Sequence, residues 1–419
     1  MTIATRASQV DLLRTVYRDQ LRIQFNLRSI LLQYLQRNTV SDFAQGEQIT
    51  LKLHTGGNGG MRWSSRGKLA VSGYQKIKRG NFNWTGLYGS IGIDGAHMEG
   101  AKASYAAEVR PLELEMRNLV KQIRPALNFD LFGDGSGKLA DEIESVTDAT
   151  SFVVDDIRGF TDGMLIDVLL TASGSVGAGM SQAVISVNRA TRTITSVSPD
   201  GTSPAVTFAD GSGAGVGAAL GDYTVYRSGS RNDAVNGLRA IVSEDNPPVA
   251  NYGGIDRTTP TNEYWQAVVD APGAPRFIEF GMIDDLRSEI EKRGNGQPNL
   301  LITSYEQIRN LKKLLLNQRR YEGTATKLNG WAEAVMYNDL PIVADKHCEP
   351  TELFMLDTSK IEIYQNDGGD WIQEDGNILK FVHGEHRYEA HWFQFMQLIC
   401  EEPNAQGKLE NLDPAPLDI

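Results

Sequence analysis

The sequence predicts an α+β protein, and three patterns support this fold class: a long amphipathic helix, an alternating hairpin without acids, and a series of short strands in mid-chain. With 419 residues, 41% of them hydrophobic and 22% charged, the composition is that of a folded protein with roughly two or three domains. Two cysteines, Cys348 and Cys400, are too few to hold such a fold together, which favours a reducing compartment. We expect neither a signal peptide nor a membrane helix, because no apolar run is long enough.

The charges are unevenly distributed along the chain. Residues 1–93 carry a net charge of +9, and the remainder carries −21. Between Gln48 and Ile93 there are seven basic residues and no acid. Such a basic segment can hold a nucleic-acid backbone, dock on the acidic body of another copy, or be a solvated face without a partner. The acidic total disfavours nucleic acid as the main ligand, because phosphates would meet like charge.

The first 45 residues predict an N-terminal arm. A helix starting near Ser8 carries apolar residues on one face, residues 23–27 alternate, and a second apolar cluster covers Ile30 to Leu35. An arm this short buries little surface by itself, so we expect it to lie on another surface.

Residues 46–93 predict a long extended hairpin. The segment from Ile49 to His54 alternates with period two, and the glycines between Gly56 and Gly60 mark a flexible stretch before the returning strand. An isolated two-stranded ribbon is marginally stable in water, so this hairpin is expected to lie across something else.

The strongest helical signal covers residues 97–131. Its apolar residues recur every three or four positions: Tyr105, Val109, Leu112, Met116, Leu119, Ile123 and Leu127. Pro111 is expected to kink the helix, and Pro125 to bend or end it, with the last possible stop at the turn-rich stretch Phe132 to Gly137.

Residues 147–230 predict a small inserted β-sandwich or barrel. Charges become rare, and six strand patterns appear: Ser151 to Val154, Leu165 to Leu169, Ala183 to Val187, Thr193 to Val197, Ala205 to Phe208 and Tyr223 to Tyr226. Disorder is the alternative for the Gly-rich stretches Gly174 to Gly179 and Gly211 to Gly221.

The remainder of the chain predicts mixed α and β structure. A helix over Phe277 to Arg293 stops at Gly294, and a buried strand at Leu300 precedes a helix through Gln318 that Thr303 and Glu306 cap. Later strands are predicted at Pro341 to Ala344, Glu352 to Leu356, Ile361 to Tyr364, Leu379 to Val382 and Phe393 to Leu398. The tail from Glu401 to Ile419 is polar and is predicted to be an arm or loosely ordered.

No pattern in the sequence predicts an active site, a cofactor or a metal. The stretch Gly133 to Lys138 lacks the spacing of a phosphate loop and follows a helix rather than a strand. His383, His386 and His391 do not have the spacing of a known zinc site, and the neighbours His347 and Cys348 do not face each other as a nucleophilic pair would. We therefore expect a protein that is not an enzyme.

The order of these elements resembles the major capsid proteins of tailed bacteriophages, whose Hong-Kong-97-like fold is also used by encapsulin shells. The segments that carry the resemblance are Gly95 to Lys102, Leu131 to Gly137, Phe160 to Met164, Gly221 to Ser230, Gly237 to Val242 and Asn251 to Asp256. The resemblance implies an N-terminal arm at 1–45, an extended hairpin loop at 46–96, a peripheral domain with the spine helix at 97–146, the β insertion at 147–230, an axial domain at 231–350, peripheral or axial strands at 351–400 and a C-terminal tail at 401–419.

The resemblance also implies a structural role and a set of partners. The chain would assemble as hexamers and pentamers into an icosahedral virion shell in the host cytoplasm, with a separate scaffolding protein, a portal, a possible decoration or cement protein and DNA packaged without sequence specificity. The arm and hairpin would reach over neighbouring subunits, and the contact residues would be Arg62, Arg66, Lys68, Lys76, Lys78, Arg79, Phe82, Trp84 and Tyr88.

Three alternatives remain open from the sequence. The first is an encapsulin-type compartment with the same fold and a protein cargo. The others are a metal enzyme that uses the region from His383 to His391, and a DNA-binding protein that uses the basic hairpin.

Overall fold

The computed structural model describes residues 29–39, 48–64, 67, 69–95, 111–148, 151–170, 182–189, 191–197, 223–294, 296–316, 335–366, 369–373 and 378–417. The chain divides into two compact units. The first contains residues 1–28, 88–125 and 370–393, and the second contains residues 29–87, 126–369 and 394–419. The predicted arm helix and the alternating segment 23–27 lie outside the described residues. None of the described helices is both long and apolar enough to cross a membrane.

The first unit contains the greater part of a long helix together with strands or parts of strands. Helix α2 has the described bounds Pro111–Asp130, and the strands are β4 (Thr85–Asp94), β18 (Asp370–Trp371), β19 (Lys380–Phe381) and β20 (Arg387–Cys400), of which α2, β4 and β20 continue into the second unit. β4, β18 and β19 all pair with β20. Gly89 allows β4 to approach α2, because a Cβ there would lie 3.0 Å from a methyl carbon of Leu119.

The apolar stripe of α2 is confirmed where the structure describes it. Met116, Leu119 and Ile123 are half-buried, and Leu127 is buried. Pro125 lies inside the helix, which continues to Asp130 before the turn at Gly133. The end of the helix is therefore where the sequence predicts it, while its beginning before Pro111 lies outside the described residues.

In the second unit, the described part of the predicted arm, residues 29–39, packs against the chain's own core. Helix α1 (Leu31–Tyr34) is followed by strand β1 (Gln36–Thr39), which pairs in parallel with β17 (Ile361–Gln365). Leu31 and Leu32 are buried against the chain's own core. The last described part of the predicted arm therefore lies on its own subunit, because residues 29–39 contribute to the sheet and the core.

The inserted module is a seven-stranded sheet. In spatial order its strands are β5 (Lys138–Ala140), β11 (Tyr223–Arg227), β8 (Leu165–Leu170), β9 (Gln182–Asn188), β10 (Thr193–Val197), β7 (Ser151–Val154) and β6 (Ile143–Asp148). Five predicted strands are confirmed, and the sixth, Ala205 to Phe208, lies outside the described residues. The module begins at Lys138 rather than 147, because β5 and β6 complete the sheet around its own core of residues such as Phe152, Ile166 and Val225.

A mixed six-stranded sheet is built from strands between residues 268 and 409. Its spatial order is β12 (Val268–Asp270), β21 (Gly407–Leu409), β16 (Leu353–Leu356), β13 (Leu300–Thr303), β15 (Leu340–Ala344) and β14 (Val335–Tyr337). Shorter helical segments are α3 (Leu238–Ile241) and the 3-10 turns Tyr252–Gly254, Pro260–Trp265, Thr358–Lys360 and Pro403–Ala405. Two longer helices are α4 (Phe280–Arg293) and α5 (Tyr305–Leu316). The predicted stop of α4 at Gly294 is confirmed.

The C-terminal tail is part of this sheet. Strand β21 lies between β12 and β16, and Leu409 and Leu412 are fully buried. Side chains of α5 then hold the carbonyl groups of the last described residues, as in the hydrogen bond from Asn310 Nδ2 to the Ala415 oxygen at 2.9 Å. The prediction of an arm or a loosely ordered tail is wrong for residues 401–417. Although this segment is polar, β21 is hydrogen-bonded inside the sheet, and side chains of α5 bind carbonyl groups near its end.

The predicted cap of α5 is displaced by one residue. The N–H of Gln307 donates to Ser304 Oγ at 3.4 Å, so Ser304 rather than Thr303 is the N-cap. Thr303 is still in strand β13, and its hydroxyl donates to the Glu352 carbonyl at 2.8 Å. Because β13 continues through Thr303, helix α5 begins only at Tyr305, and the hydroxyl of Ser304 caps it.

A buried carboxylate joins three segments of the second unit. Asp345, which is 1% exposed, accepts the N–H groups of Ile30 (3.1 Å) and Leu31 (3.2 Å), so it caps helix α1 from more than 300 residues away. It also accepts from Asn128 Nδ2 at 3.0 Å, and Asn128 Oδ1 accepts the N–H of Leu32. We call Asp345, Asn128 and the neighbouring His347 the carboxylate latch.

Because the carboxylate latch contains the buried His347, we expect the stability of the folded chain to depend on pH. Burial lowers the pKa of His347 from 6.5 to about 4, with a smaller opposing effect from Asp345, and the neutral ring nitrogen Nδ1 lies 3.0 Å from Asn128 Nδ2. Between pH 6.5 and pH 4 the unfolded chain binds a proton at this histidine and the folded chain does not. We therefore expect the free energy of unfolding to fall by roughly 2–3 kcal/mol from this site as the pH falls through that window.

Urea unfolding at pH 7, 5.5 and 4 checks this prediction with two variants. His347→Gln should lose this part of the pH dependence, because glutamine does not titrate. His383→Gln is the matched control, since His383 is exposed and its replacement should leave the dependence unchanged. An identical pH dependence in His347→Gln and the unmodified protein would contradict the assignment.

Candidate interaction surface

The feature most unlike a self-contained domain is the hairpin formed by β2 (Gln48–Gly56), β3 (Lys76–Asn83) and the residues between them. Its strands pair antiparallel, with Ile49 opposite Phe82 and Lys52 opposite Arg79. Because side chains alternate between the faces of a strand, the hairpin has an inner face and an outer face. The predicted hairpin is thus confirmed, and its two faces have different chemistry.

The inner face is apolar and is bound to the chain's own core. Ile49, Leu51 and Leu53 are half-buried against that core, and Phe82 is 2% exposed. Gly80, opposite Leu51, carries no side chain and allows this face to come close to the segment at Gly253. The base of the hairpin is therefore fixed by ordinary hydrophobic burial.

Three aromatic side chains, which we call the aromatic anchor, hold that base. The ring of Phe82 meets Tyr252 edge-on at 5.0 Å between centroids, and Tyr252 stacks on Trp265 at 5.7 Å. The Trp265 indole N–H donates to the Tyr252 carbonyl at 2.7 Å, and the Tyr252 hydroxyl accepts the N–H of Cys400 at 2.7 Å. Offset and edge-on aromatic pairs add to the energy of burial, so the anchor fixes the direction in which the hairpin leaves the body.

Backbone geometry keeps the anchor in place. Gly253 has a φ of +65°, and a Cβ there would lie 3.0 Å from Phe82 and 3.2 Å from Trp265. Arg257 is fully buried over the Tyr252 ring and donates to the carbonyls of Ala240 and Ile241, both at 2.8 Å. Burial lowers the pKa of Arg257 to about 10, a value at which it remains charged at neutral pH. Three carbonyl oxygens, including that of Asp245, accept from its two terminal nitrogens in place of a carboxylate, while its Nε has no hydrogen-bond partner among the described residues.

The far end of the hairpin, residues 57–75, is the hairpin tip, and most of its described residues are exposed. Its described part includes large apolar side chains with little or no burial: Met61 (88% exposed), Trp63 (102%), Leu69 (90%), Val71 (85%) and Tyr74 (77%). Ile77, at the start of β3, is 66% exposed. Large exposed apolar groups so close together are typical of a surface that is covered by a partner.

The structure places the predicted contact residues in different environments. Arg62, Lys76, Lys78, Arg79 and Tyr88 are exposed, Trp84 is half-buried, and Arg66 and Lys68 lie outside the described residues. Lys78 also binds its own chain, since its Nζ donates to Asn262 at 2.5 Å and lies 5.7 Å from the Tyr264 ring.

Phe82 differs from the other described residues of the predicted contact set because it is buried in its own subunit. Its side chain belongs to the aromatic anchor of its own subunit, so it is not available to a neighbour. The sequence analysis also missed Met61, Trp63 and Tyr74. The signal for Met61 and Trp63 was the presence of large apolar residues in a glycine-flanked, acid-free segment. Tyr74 lies in the predicted returning strand, which begins only at Lys76 in the structure.

The second unit also contains a polar cavity of about 340 Å³ between the end of α2, the inserted module and the loop at His347. Its charged lining is paired internally, for example Lys138 with Asp141 at 2.9 Å and Arg158 with Asp156 at 2.6 Å. The nearby thiol of Cys348 is buried, which raises its pKa well above the ordinary value. These groups compensate one another and offer no activated nucleophile.

Comparison with known proteins identifies the fold of this chain. No family model and no curated protein match the sequence. The capsid of the cyanophage A-1(L) matches with a TM-score of 0.57 and 12% identity over 98% of this chain and 99% of that chain. The capsid of a native GTA particle matches at 0.53 and 9% identity over 99% and 100%, and the SrpI encapsulin complex from Synechococcus elongatus at 0.51 and 7% over 100% and 99%. At these identities the likeness is one of fold, and the predicted Hong-Kong-97-like α+β fold is confirmed.

Proposed function

We propose that this chain is the major capsid protein of a tailed double-stranded DNA bacteriophage, a structural subunit that assembles with copies of itself into a closed icosahedral shell. One observation carries the proposal: a chain with this fold, shared with capsid structures from end to end, projects an apolar hairpin tip that its own body leaves exposed. The role is structural and requires no catalytic group.

The energy available at the hairpin tip supports such assembly. Burying one large apolar side chain contributes about 1.5–3 kcal/mol, so covering four of them supplies roughly 6–12 kcal/mol per hairpin before the cost of ordering the tip. Each subunit of a closed shell both gives and receives such a contact, so moderate contacts combine into a stable particle.

The charge distribution supports a second copy as the surface that receives the hairpin. Residues 1–93 carry +9 and the remainder carries −21, so the basic hairpin of one subunit is attracted to the acidic body of the next. In this proposal hexamers and pentamers form the shell. Helix α2 and strands β17 to β20 form the peripheral domain, and the sheet that contains β13 and β15 lies in the axial domain. A separate scaffolding protein and a portal assist assembly, and DNA is packaged without sequence specificity.

Electron microscopy of the purified full-length protein tests this proposal. The expected result is uniform closed shells with icosahedral symmetry, together with a subunit contact at the hairpin tip in the reconstruction. Shells in the virion would contain nuclease-protected DNA. A protein that remains monomeric at high concentration, including in the presence of scaffold, would overturn the proposal.

An encapsulin-type compartment is the second candidate function, and the match to the Synechococcus elongatus encapsulin favours it. It requires the same shell contacts and differs in the contents. Mass spectrometry and absorbance of shells isolated from the natural source separate the two candidates, because a compartment contains a stoichiometric protein cargo and a virion contains DNA.

A further inference from the structure

The outer face of the hairpin carries four cross-strand pairs, and the third pair from the base is made of two cationic residues. Gln48 donates to Asn83 at 2.9 Å, and Thr50 donates to Asn81 at 3.1 Å. The next pair is Lys52 directly opposite Arg79, which we call the cationic pair, and it is followed by His54 opposite Ile77. All these side chains are exposed.

Lys52 and Arg79 form an unfavourable pair within the subunit. Like charges directly opposite each other on an antiparallel pair destabilise the sheet. The segment from Gln48 to Ile93 contains no acid that could neutralise them, and no described residue forms an ion pair or hydrogen bond with either side chain. The two pairs nearer the base show that neutral, hydrogen-bonded side chains are compatible with this face of the hairpin.

We propose that the cationic pair is a carboxylate-binding site that sets the register between subunits, and that its ligand is an acidic surface of a second copy of this chain. The proposal rests on the assembly proposed above. Arg79 offers a planar fork for one carboxylate, and Lys52 offers a point charge for the same or a second one. A second copy is favoured over nucleic acid because the chain outside residues 1–93 carries −21, and because the next pair on the same face contains the exposed apolar side chain of Ile77.

Substitutions at Lys52 separate this role from a structural one, because the two roles predict opposite trends. Lys52→Glu would place a carboxylate opposite Arg79 and turn the repulsive pair into an attractive one. The isolated subunit should then be as stable as the unmodified protein or more stable, while the subunit concentration needed for assembly should rise roughly tenfold or more. Lys52→Gln should lie between the two, and Lys52→Arg is the matched control that keeps the charge and should assemble normally.

Thermal unfolding of the subunits and light scattering with electron microscopy of the assembled protein measure both trends in the same samples. Added salt should weaken assembly of the unmodified protein more than that of Lys52→Glu. Assembly of Lys52→Glu at the unmodified concentration, or a loss of assembly that merely follows a loss of subunit stability, overturns the proposal. Normal shells of Lys52→Glu that retain less DNA would assign the cationic pair to phosphate and would also overturn it.

Failure of this inference is distinguishable from failure of the proposed function. If the unmodified protein forms shells and the Lys52 variants form them equally well, only the carboxylate site is refuted. If the unmodified protein forms no shells at all, both the assembly and the contact are refuted.

Discussion

Replacing four apolar side chains of the hairpin tip by serine is expected to abolish shell assembly while the subunit remains folded. The residues are Met61, Trp63, Leu69 and Val71, each at least 85% exposed. Because these side chains bury almost nothing in the subunit, their loss should change its melting temperature by no more than about 1–2 °C. Their loss should remove roughly 6–12 kcal/mol of burial from each subunit contact, which is enough to prevent assembly at ordinary concentrations.

A conservative variant is the matched control for this experiment. Met61→Leu, Trp63→Phe, Leu69→Met and Val71→Ile together keep the tip apolar at similar volume, so this variant should still assemble. Circular dichroism and thermal unfolding report the fold, and sedimentation with electron microscopy reports assembly. Shells of normal yield from the four-serine variant would show that the tip is not the contact on which assembly depends.

The second large effect is expected in the stability of the subunit itself. Asp345→Ala should lower the free energy of unfolding by about 3–5 kcal/mol. The substitution leaves the N–H groups of Ile30 and Leu31 and the amide of Asn128 without their acceptor in a site that is 1% exposed. A lost acceptor at a buried site costs the desolvation of every donor that it served.

Two further substitutions test whether the hydrogen bonds cause this loss. Asp345→Asn keeps one acceptor oxygen at the same place and should destabilise less than Asp345→Ala. Asp285→Ala removes an exposed carboxylate of α4 and should change stability by no more than about 0.5 kcal/mol. Equal urea midpoints for Asp345→Ala and Asp285→Ala would refute the role of the latch.

The hairpin combines a fixed base with an exposed tip. The aromatic anchor and the buried Arg257 hold the base against the body, whereas the described large apolar side chains of the tip, such as Trp63, are largely exposed. A rigid base reduces the conformational entropy that assembly must overcome, and an exposed apolar tip supplies the energy. In the proposed assembly, Phe82 would hold the base of the hairpin and Trp63 would form part of the contact, although both are aromatic residues of one hairpin.

Local patterns in the sequence were sufficient for most elements of the fold. Alternation over Ile49 to His54 predicted β2, the three-and-four spacing predicted the stripe of α2, and Gly294 marked the end of α4. The strands of the inserted module were also predicted, because each strand and its flanking turns lie within about ten residues. These signals depend only on neighbours along the chain.

Several predictions failed where contacts between distant residues decide the outcome. Strand β21 inserts between β12 and β16 although the tail around it is polar, and its pairing partners lie up to 139 residues away. Thr303 was predicted as a cap because its own neighbourhood fits one, but the carbonyl of Glu352 holds its hydroxyl in the strand. Neither the strands that pair with β21 nor the carbonyl that binds Thr303 can be identified from the local sequence.

The α+β class, the basic hairpin, the long helix and the inserted strands could all be predicted from the sequence, because periodicity and charge are properties of short segments. The inward position of Phe82 on Tyr252 and the exposure of Trp63 depend instead on tertiary contacts. These contacts determine the remaining features as well: Asp345 binds a helix more than 300 residues away, and Lys52 faces Arg79. Burial and cross-strand register depend on which distant segments come together, and a residue's own neighbourhood in the sequence does not contain that information.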